Sequence, residues 1–344
     1  MLSIEDACKR IAERADENDR LAQWPAADLR DLAEAGATRW AVPIADGGDG
    51  LDPIALHERY EHIAAASLAT SLIIRQHDLA VALLAASGND KLREEQLPLV
   101  STGESWCTIG ISQLTTSRQF GEASVTAEPE GTGYRLDGVI PWVTGAAECD
   151  VVIIGATLAD GQQLLAAARS AQLEIPEPPP IAALAATRTT NAHIRGLHID
   201  PEDVLLGPTE GVLRKWNRDV PIGQAFLALG LARSAIRVME LDAGDEVRAH
   251  ISTAEQSLND LRDRVLWYCR QPSPDTDDGT QLRAQTIALA QDLTHAAVAV
   301  HKGTALINHH PAQRLAREAL FLLVWSCPGD VRQCTLDRLI GGAA

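Results

Sequence analysis

The sequence predicts a mainly α-helical protein with a central β domain. Helical spacing and capping residues fill 3–100, short β-like runs separated by turn residues fill 105–206, and helical spacing returns in the last third. We therefore expect an N-terminal helical domain (1–104), a β domain (105–210) and a C-terminal helical domain (211–344). With 344 residues, of which 46% are hydrophobic, the chain can bury a sizeable core.

The N-terminal third contains clear helix starts. Ser3 can cap a first helix, and Asp52 followed by Pro53 is a cap with proline at the first helical position, where its missing N–H costs nothing. The helix after Pro53 is predicted to bury one stripe of side chains, namely Leu56, Tyr60, Ile63 and Ala66. Charged and polar residues interrupt the apolar stretch 63–86, which favours a buried helix pair over a membrane span.

Short apolar runs bounded by turn residues define the β region. The predicted strands occupy 106–111, 123–127, 163–168 and 193–199. Because proline donates nothing to a sheet ladder, the proline-rich segment 175–180 is predicted to cross the surface. The glycines of 41–50 are interpreted as a plain turn, since no strand precedes them and no phosphate-binding Lys-Ser/Thr follows.

The stretch 134–155 organises the β region. Asp137–Gly138 is a turn dipeptide between apolar runs, and the second run ends in the β-branched block 151–154, so we predict a hairpin. On an extended strand Trp142 and Thr144 would project from one face, which could hold a planar ring. An ordinary hairpin with one buried tryptophan is the alternative.

Amphipathic spacing returns in the last third. One predicted helix face comprises Phe226, Leu229, Ala232, Ile236 and Met239, and another comprises Ile287, Ala290, Leu293, Ala297 and Val300. The acidic segment 273–279 is predicted to be a solvated connection between two helices. Pro311 and Pro328 are predicted to start the last two helices.

Composition excludes several classes of protein. The net charge of -17 argues against nucleic-acid binding, which needs a clustered excess of Lys and Arg. The six cysteines form no CxxC pair, so neither a zinc site nor a disulfide framework is predicted, and a reducing cytoplasm fits best. The first ten residues lack the basic and apolar regions of a signal peptide. We expect a soluble, cytoplasmic protein without a membrane partner.

The helix–β–helix order, together with Trp142-Val143-Thr144 after Leu136-Asp137-Gly138, resembles the acyl-CoA dehydrogenase family. The resemblance extends over nearly the whole chain and includes the segments 189–207 and 309–319. It implies an N-terminal helical domain, a middle β-barrel-like domain, a C-terminal four-helix bundle and FAD as cofactor.

The resemblance also assigns residues to the cofactor. Trp142 is similar to the residue that covers a face of the flavin ring, and Thr144 to the one that hydrogen-bonds near its reactive nitrogen. Ser112 and Gln113 fall where the family contacts the pyrimidine end of the ring. Gly303 is the glycine kept in the turn that usually binds the adenine.

Three departures from the family pattern concern the cofactor. The segment 112–118 lacks the glycines of the usual flavin loop, 301–305 keeps a single glycine, and 247–270 lacks the arginine-then-Phe-Gly motif of a neighbouring subunit. FMN or a free reduced flavin is therefore an alternative to FAD.

The catalytic base has two candidate positions. Family dehydrogenation needs a carboxylate of raised pKa to take the proton next to the thioester carbonyl. Counting from Arg317, the resemblance places this position at Ser326, and a serine is not a base unaided. In relatives that carry the base at the start of the C-terminal bundle, the matching residue is Val220, with Asp219 adjacent. Asp219 is the candidate base, with an ordinary helix-start acid as the alternative.

Other chemically active side chains have structural alternatives. His77, His309 and His310 are more typical of structural histidines than of proton carriers. Gln76 and Ser326 could line the same cavity as His77, and Cys327 is interpreted as a packing residue because no Cys-His spacing supports a nucleophile.

The function implied by the resemblance is flavin-dependent α,β-dehydrogenation of an acyl thioester or related small substrate, most simply an acyl-CoA. A homodimer or homotetramer is expected through the C-terminal helices. Two alternatives stay open: a flavin-dependent monooxygenase on the same fold, and a member that has lost catalysis and acts as a binding protein. Fold similarity does not choose among them, because function resides in the site.

Overall fold

A computed structural model describes residues 2–115, 123–216, 222–241, 244–325 and 327–341. The helices before the sheet are α1 (Ile4–Arg20), α2 (Ala26–Glu34), α3 (Pro53–Ala64), α4 (Leu68–Ala86) and α5 (Asp90–Thr102). The strands are β1 (Cys107–Gly110), β2 (Val125–Glu130), β3 (Gly133–Val143), β4 (Val151–Leu158), β5 (Gln163–Arg169), β6 (Thr190–Ile199) and β7 (Val204–Thr209). The remaining helices are α6 (Ser112–Thr115), α7 (Val212–Trp216), α8 (Gln224–Glu240), α9 (Asp245–Cys269), α10 (Thr276–His301), α11 (Pro311–Leu322) and α12 (Gly329–Ile340).

The predicted fold class is confirmed, because helices precede and follow a central mixed sheet. The local helix signals are confirmed as well. The Ser3 side chain accepts a hydrogen bond from the Asp6 N–H, and the Asp52 side chain caps α3 with Pro53 at the first position. Pro311 begins α11, and Pro328 lies immediately before α12. The domain boundaries at 104 and 210 stay a prediction.

Helix α4 connects the helical part of the protein to the sheet. Its first half packs in the core formed with α8 and α10, whereas its second half, from Ala80 to Leu84, packs against β1 and β4. By length and hydropathy α4 could span a membrane, yet 78% of its apolar window is buried inside the protein. The buried helix pair predicted for 63–86 is therefore α3 and α4. Arg75, His77 and Asp78, at the middle of α4, are all buried.

The bundle packs tightly against the N-terminal helices. A Cβ on Gly230 of α8 would overlap the Glu61 carbonyl oxygen of α3, so these two helices meet closely. Beside this contact, the carboxylate of Glu61 accepts hydrogen bonds from Nε of Arg262 at 2.8 and 2.9 Å. Glu61 is buried, and this ion pair joins α3 to α9.

The sheet has the strand order β6-β3-β2-β4-β5-β7, and β1 pairs in parallel with β4. All four residues of the β-branched block Val151–Ile154 are buried, as predicted for a central strand. Strands β1, β2, β5 and β6 fall on or overlap the predicted runs, whereas β7 was not predicted. Both faces of β4 are covered, since one faces α4 and the other faces the core shared with β3 and β6.

The hairpin predicted for 134–155 is wrong. Asp137 and Gly138 lie inside β3, whose neighbours are β2 and β6, and β3 does not pair with β4. Gly138 has a φ of +137°, and a Cβ there would overlap the carbonyl oxygen of Ser124. The glycine is thus needed for close approach to the neighbouring strand and for a register shift against β6, not for a turn.

Two other predicted connections can be compared with the structure. The proline-rich segment 175–180 contains no helix or strand and is mostly exposed, in agreement with a surface crossing. The acidic segment 273–279 is only partly a connection, because α10 begins at Thr276. Asp275 caps that helix by accepting hydrogen bonds from the N–H groups of Asp277 and Asp278.

Candidate functional site

The end of β3 holds an exposed tryptophan in an unusual backbone conformation. Trp142 has a φ of +58°, and its side chain is 63% exposed. Its N–H donates to Oδ1 of Asn191 at 3.3 Å, and the pairing of β3 with β6 shifts between Ile140 and Val143. The left-handed region is a genuine outlier for a bulky side chain and is commonest where function constrains the backbone.

Three threonine hydroxyls lie within hydrogen-bonding distance of one another, starting at Thr144, two residues after Trp142. Thr144 is buried, and its Oγ1 lies 3.3 Å from Oγ1 of Thr189, which is 2.7 Å from Oγ1 of Thr187. The carbonyl of Thr144 accepts a hydrogen bond from Thr108 at 2.8 Å, which fixes its backbone to β1. The strand alternation used to place Trp142 and Thr144 on one face does not hold, because Trp142 is not extended. Both residues nevertheless lie at the C-terminal end of β3.

Ser112 and Gln113 lie at the start of α6, near the same end of β3. The Ser112 hydroxyl donates to the Pro141 carbonyl at 2.6 Å, which places it beside Trp142. Gln113 is buried, and its amide donates to the carbonyls of Gly155 at 2.6 Å and Gly110 at 3.3 Å. The Gln113 side chain therefore connects α6 to the sheet, whereas the Ser112 hydroxyl lies close to Trp142.

Gly303 belongs to a separate segment, the short 3-10 helix Lys302–Leu306 after α10. It is exposed, and a Cβ built on it would have no atom within 4 Å. The positive φ in this segment occurs at Lys302, at +52°. Gly303 thus offers open backbone on the surface. Asp219, Val220 and Ser326 lie outside the described residues, as do residues 116–118 of the segment 112–118.

Sequence reasoning gave no role to two buried arginines that contact Trp325. The guanidinium carbon of Arg75 lies 5.2 Å from the centroid of the Trp325 ring, and Nη2 of Arg283 donates to the Trp325 carbonyl at 3.1 Å. Burial is the main reason that the pKa of Arg283 is lowered to about 10; the Arg75 charge acts in the same direction, while Cys327 opposes both. The sequence feature that could have drawn attention to Arg75 is its charge within the apolar stretch 63–86.

His77 and Asp78 have structural partners. Nδ1 of His77 accepts a hydrogen bond from the Cys107 N–H at 3.0 Å, and its ring packs on Trp106. Burial lowers the pKa of His77 to about 4, so the imidazole is neutral at physiological pH. Asp78 accepts a hydrogen bond from the Tyr60 hydroxyl at 2.7 Å, and burial raises its pKa to about 7. These contacts favour the structural interpretation of His77.

His310, His301 and Cys327 also have structural partners. Nδ1 of His310 accepts a hydrogen bond from the Ala312 N–H and so caps α11, and burial lowers the pKa of His310. His301, 4.6 Å from the His310 ring, contacts the Val238 carbonyl at 2.8 Å. Burial raises the pKa of Cys327, which keeps its thiol protonated and favours the packing interpretation. Across the described part of the chain, no group of three or more His, Cys, Asp or Glu could hold a metal ion.

Known structures share this architecture over the whole chain. Butyryl-CoA dehydrogenase from Megasphaera elsdenii superposes with a TM-score of 0.81 at 16% sequence identity, covering 98% of this chain and 96% of that chain. The protein therefore has the acyl-CoA dehydrogenase fold.

Sequence comparisons agree with the fold. Residues 4–104 match the family model described as acyl-CoA dehydrogenase, N-terminal domain. The mitochondrial short-chain specific acyl-CoA dehydrogenase of Bos taurus is 23% identical over 363 residues, covering 96% of this chain and 87% of the relative. Benzylmalonyl-CoA dehydrogenase of Aromatoleum aromaticum is 22% identical over 352 residues, covering 96% and 93%. Over nearly its whole length the chain is therefore similar, at low sequence identity, to acyl-CoA dehydrogenases.

Proposed function

We propose that the protein is a flavin-dependent oxidoreductase that uses FAD to dehydrogenate an acyl-CoA between its α and β carbons. The observation that carries this proposal is the end of β3, where an exposed Trp142 is held at positive φ next to the buried Thr144 hydroxyl. Holding a large indole in that conformation costs about 1–3 kcal/mol. A planar ligand stacked on the indole is a functional reason for such a constraint.

The names of the relatives support the substrate class. The bovine, Aromatoleum and Megasphaera proteins are each named as dehydrogenases of a coenzyme A thioester, and the matches extend over nearly the whole chain. Their acyl groups differ from one another. The general reaction is therefore the part that we transfer to this protein, and the acyl group must be inferred from its own residues.

The described residues at the end of β3 fit a flavin ring. Trp142 presents a flat, exposed face, and the Thr144 hydroxyl can form a hydrogen bond at the ring edge. The Ser112 hydroxyl donates to Pro141, so its oxygen can accept a hydrogen bond from the pyrimidine end of the ring. FAD, when bound, supplies the acceptor for the hydride that leaves the β carbon.

Gln113 and Gly303 have different proposed roles toward the cofactor. Because the Gln113 amide donates to two sheet carbonyls, its side chain holds α6 in place rather than contacting the ring. The open backbone at Gly303 allows a planar adenine to approach closely, since no atom lies within 4 Å of its missing side chain.

Removal of the α proton is assigned to Asp219. Its carboxylate is the nearest acidic side chain to the position matched at Val220, and Ser326 is not a base unaided. Cys327 and His77 are poorer candidates for the base. Cys327 is held as a neutral thiol by its raised pKa, and the buried Nδ1 of His77 is already bonded to the Cys107 N–H.

We further propose that the protein is a homodimer or homotetramer. The last two helices and the turn after α11 expose large apolar side chains, including Leu320, Val324, Leu336, Leu339 and Ile340. A second copy of the chain would cover such a surface. Sedimentation velocity should give an oligomer for the wild type and a smaller species for Leu339→Lys combined with Ile340→Lys. A monomeric wild type would refute the proposal.

Reduction of the bound flavin tests the proposed reaction. Purified protein is loaded with FAD and mixed anaerobically with acyl-CoA thioesters, and we expect the visible flavin absorbance to be lost. Asp219→Asn should keep the flavin but abolish the bleaching, while Asp330→Asn, at an exposed position on α12, is the matched control.

Other outcomes would replace the proposal. Protein that binds no oxidised flavin, but binds reduced flavin and consumes oxygen, would instead be a monooxygenase. Failure to bind flavin in either redox state would exclude both activities and favour a binding protein. Bleaching that is unchanged in Asp219→Asn would remove Asp219 as the base.

A further inference from the structure

A cavity of about 450 Å³ lies between α2 and the end of α5. Two tryptophans, Trp24 and Trp106, line it together with small and apolar side chains of α2, and the exposed Arg30 and Glu34 line it as well. Its volume falls within the range of roughly 300–1,000 Å³ that is typical of small-molecule sites, and aromatic walls with a few polar groups are the usual lining of such sites. None of the described residues proposed to hold the cofactor lines this cavity.

Trp106 is held in place from the side of the sheet. Its backbone N–H donates to Oδ2 of Asp150 at 2.9 Å, and its ring packs on the His77 imidazole with 4.6 Å between the ring centroids. His77 is itself fully buried and accepts a hydrogen bond from the Cys107 N–H. The indole of Trp106 is therefore fixed by its neighbours, while part of it stays accessible from the cavity.

Trp24 is held by a close contact with the turn that follows β3. A Cβ built on Gly145 would lie 2.6 Å from Cη2 of Trp24, so the indole rests directly on the glycine backbone. The Gly145 N–H donates to the Thr187 carbonyl at 2.9 Å, which fixes that backbone in turn. Because both indoles are already ordered, a planar ring can stack on them at little cost in side-chain entropy.

The cavity also has one positive and one negative charge that lack protein partners. Arg30 and Glu34 are four residues apart and so share one face of α2. In the part of the chain that the structure describes, their side chains form no hydrogen bond or ion pair, either with each other or with another group. The remaining acids of α2 differ, because Asp28 and Asp31 accept hydrogen bonds from Arg14 at 2.7 and 2.5 Å. The charges of Arg30 and Glu34 are therefore available to a ligand.

This pair of charges selects among ligands that carry an aromatic ring. A simple aromatic acid would bring its carboxylate near Glu34, and a simple aromatic amine would bring its ammonium near Arg30, so each would meet a like charge. An α-amino acid carries both groups on one carbon and presents an opposite charge to each side chain. A guanidinium fork matches the geometry of a carboxylate, and an ammonium has three donors for a carboxylate partner.

We propose that this cavity binds a free aromatic α-amino acid. Its ring lies against Trp24 and Trp106, its carboxylate binds Arg30, and its ammonium binds Glu34. The indoles supply the contact area, and the two charged groups fix the orientation of the ligand. The site uses none of the residues assigned to FAD or to proton removal, so this inference does not depend on the proposed function.

Isothermal titration calorimetry on the full chain tests the site with matched ligands at neutral pH. L-phenylalanine is compared with hydrocinnamate, which lacks the ammonium, and with phenethylamine, which lacks the carboxylate; all three share the phenyl ring and the chain attached to it. We expect L-phenylalanine to bind with a dissociation constant below about 1 mM, and each analogue to bind about tenfold more weakly because it loses a charge-assisted contact and meets a like charge. L-alanine, which keeps both charges and lacks the ring, should also bind at least about tenfold more weakly.

Variants identify the groups responsible. Arg30→Gln should weaken the binding of L-phenylalanine about tenfold and leave that of phenethylamine no weaker than in the wild type, because phenethylamine has no carboxylate for the guanidinium. Glu34→Gln should likewise weaken L-phenylalanine and spare hydrocinnamate. Arg30→Lys should keep part of the affinity, since it keeps the charge and loses the fork. Arg264→Gln and Glu255→Gln, at exposed positions on α9, are the matched controls and should bind as the wild type does. Because all these side chains are exposed, each variant should fold, and melting temperatures check this.

Several results would overturn the inference. One is the absence of saturable heat with L-phenylalanine at concentrations up to about 10 mM. Hydrocinnamate that binds as tightly as L-phenylalanine would instead indicate a site for aromatic acids, and phenethylamine that does so would indicate a site for aromatic amines. If Arg30→Gln weakens all three ligands equally, the arginine affects the shape of the cavity rather than a carboxylate, and the inference fails in that case too.

Discussion

Asp78 should make the stability of the protein depend on pH. The residue is 2% exposed in the middle of α4, and its carboxylate accepts a hydrogen bond from the Tyr60 hydroxyl at 2.7 Å. Burial raises the pKa of Asp78 from its ordinary 3.8 to about 7, and the Tyr60 hydrogen bond opposes that change only in part. We expect Asp78→Asn, which cannot ionise, to remove this dependence.

The sign of the effect follows from the raised pKa. Below about pH 4, Asp78 is protonated in both the folded and the unfolded chain and contributes no pH dependence. Between about pH 4 and about pH 7 the unfolded chain releases the proton while the folded chain retains it, so the free energy of unfolding falls as pH rises. The gap of about 3 pH units corresponds to ~4 kcal/mol at about 1.36 kcal/mol per unit.

Urea unfolding followed by circular dichroism measures this contribution. The free energy of unfolding is determined for the wild type and Asp78→Asn from about pH 5 to about pH 8. Relative to the wild type, the variant should gain ~2 kcal/mol between about pH 5 and about pH 7, and the difference should level off towards about pH 8. Only the change with pH is interpreted, because the new amide also alters the contact with Tyr60.

An exposed aspartate provides the control for Asp78. Asp260→Asn, on the surface of α9, should give a stability curve parallel to that of the wild type at every pH. If the Asp78→Asn curve is also parallel to that of the wild type, Asp78 is ionised in the folded protein throughout this range. The reasoning from burial would then be refuted.

Three further substitutions test the packing and the backbone. Gly138→Ala should destabilise the protein by roughly 2 kcal/mol or more in urea unfolding, because the new Cβ would overlap the Ser124 carbonyl oxygen and a φ of +137° is strained for alanine. An unchanged free energy of unfolding would show that β2 can move to make room for the methyl group. Trp142→Gly should change the free energy of unfolding by no more than ~1 kcal/mol, because glycine adopts a positive φ without strain. The same variant should retain less FAD during dialysis, and unchanged retention would contradict the role given to the indole. Glu61→Gln should cost ~1–2 kcal/mol, because Arg262 loses its buried carboxylate partner but keeps its hydrogen bond to Glu58 at 2.8 Å. No loss in urea unfolding would show that Glu58 and water replace the pair.

Helix positions were predictable because their signals are local. Ser3 and Asp52 accept hydrogen bonds from N–H groups two or three residues away, and Pro311 occupies a first helical position where no N–H is needed. Each of these helix starts can be identified without knowledge of the rest of the fold. The burial of α4 was predictable for a related reason. A long apolar stretch interrupted by charges has to be covered by protein rather than by lipid.

Strand β3 was misread because its glycine serves a distant neighbour. Asp137–Gly138 has the composition of a turn, but the requirement for glycine comes from Ser124 on the approach to β2, which the local sequence does not reveal. The same limitation affects Trp142, since a strand pattern predicts an extended residue and the register shift against β6 produces a left-handed one. The role of Trp142 and Thr144 towards a flavin stays a prediction, and the backbone geometry at Trp142 was not predictable from the local sequence.

The buried arginines bear on where a base can work. A carboxylate base needs a raised pKa to take a proton near neutral pH, and burial is the usual cause. Beside Trp325, the charges of Arg75 and Arg283 would lower the pKa of a carboxylate and weaken it as a base. Under the proposed function, the base therefore belongs at the start of the C-terminal bundle, and Asp219 is the acidic residue that the sequence supplies there.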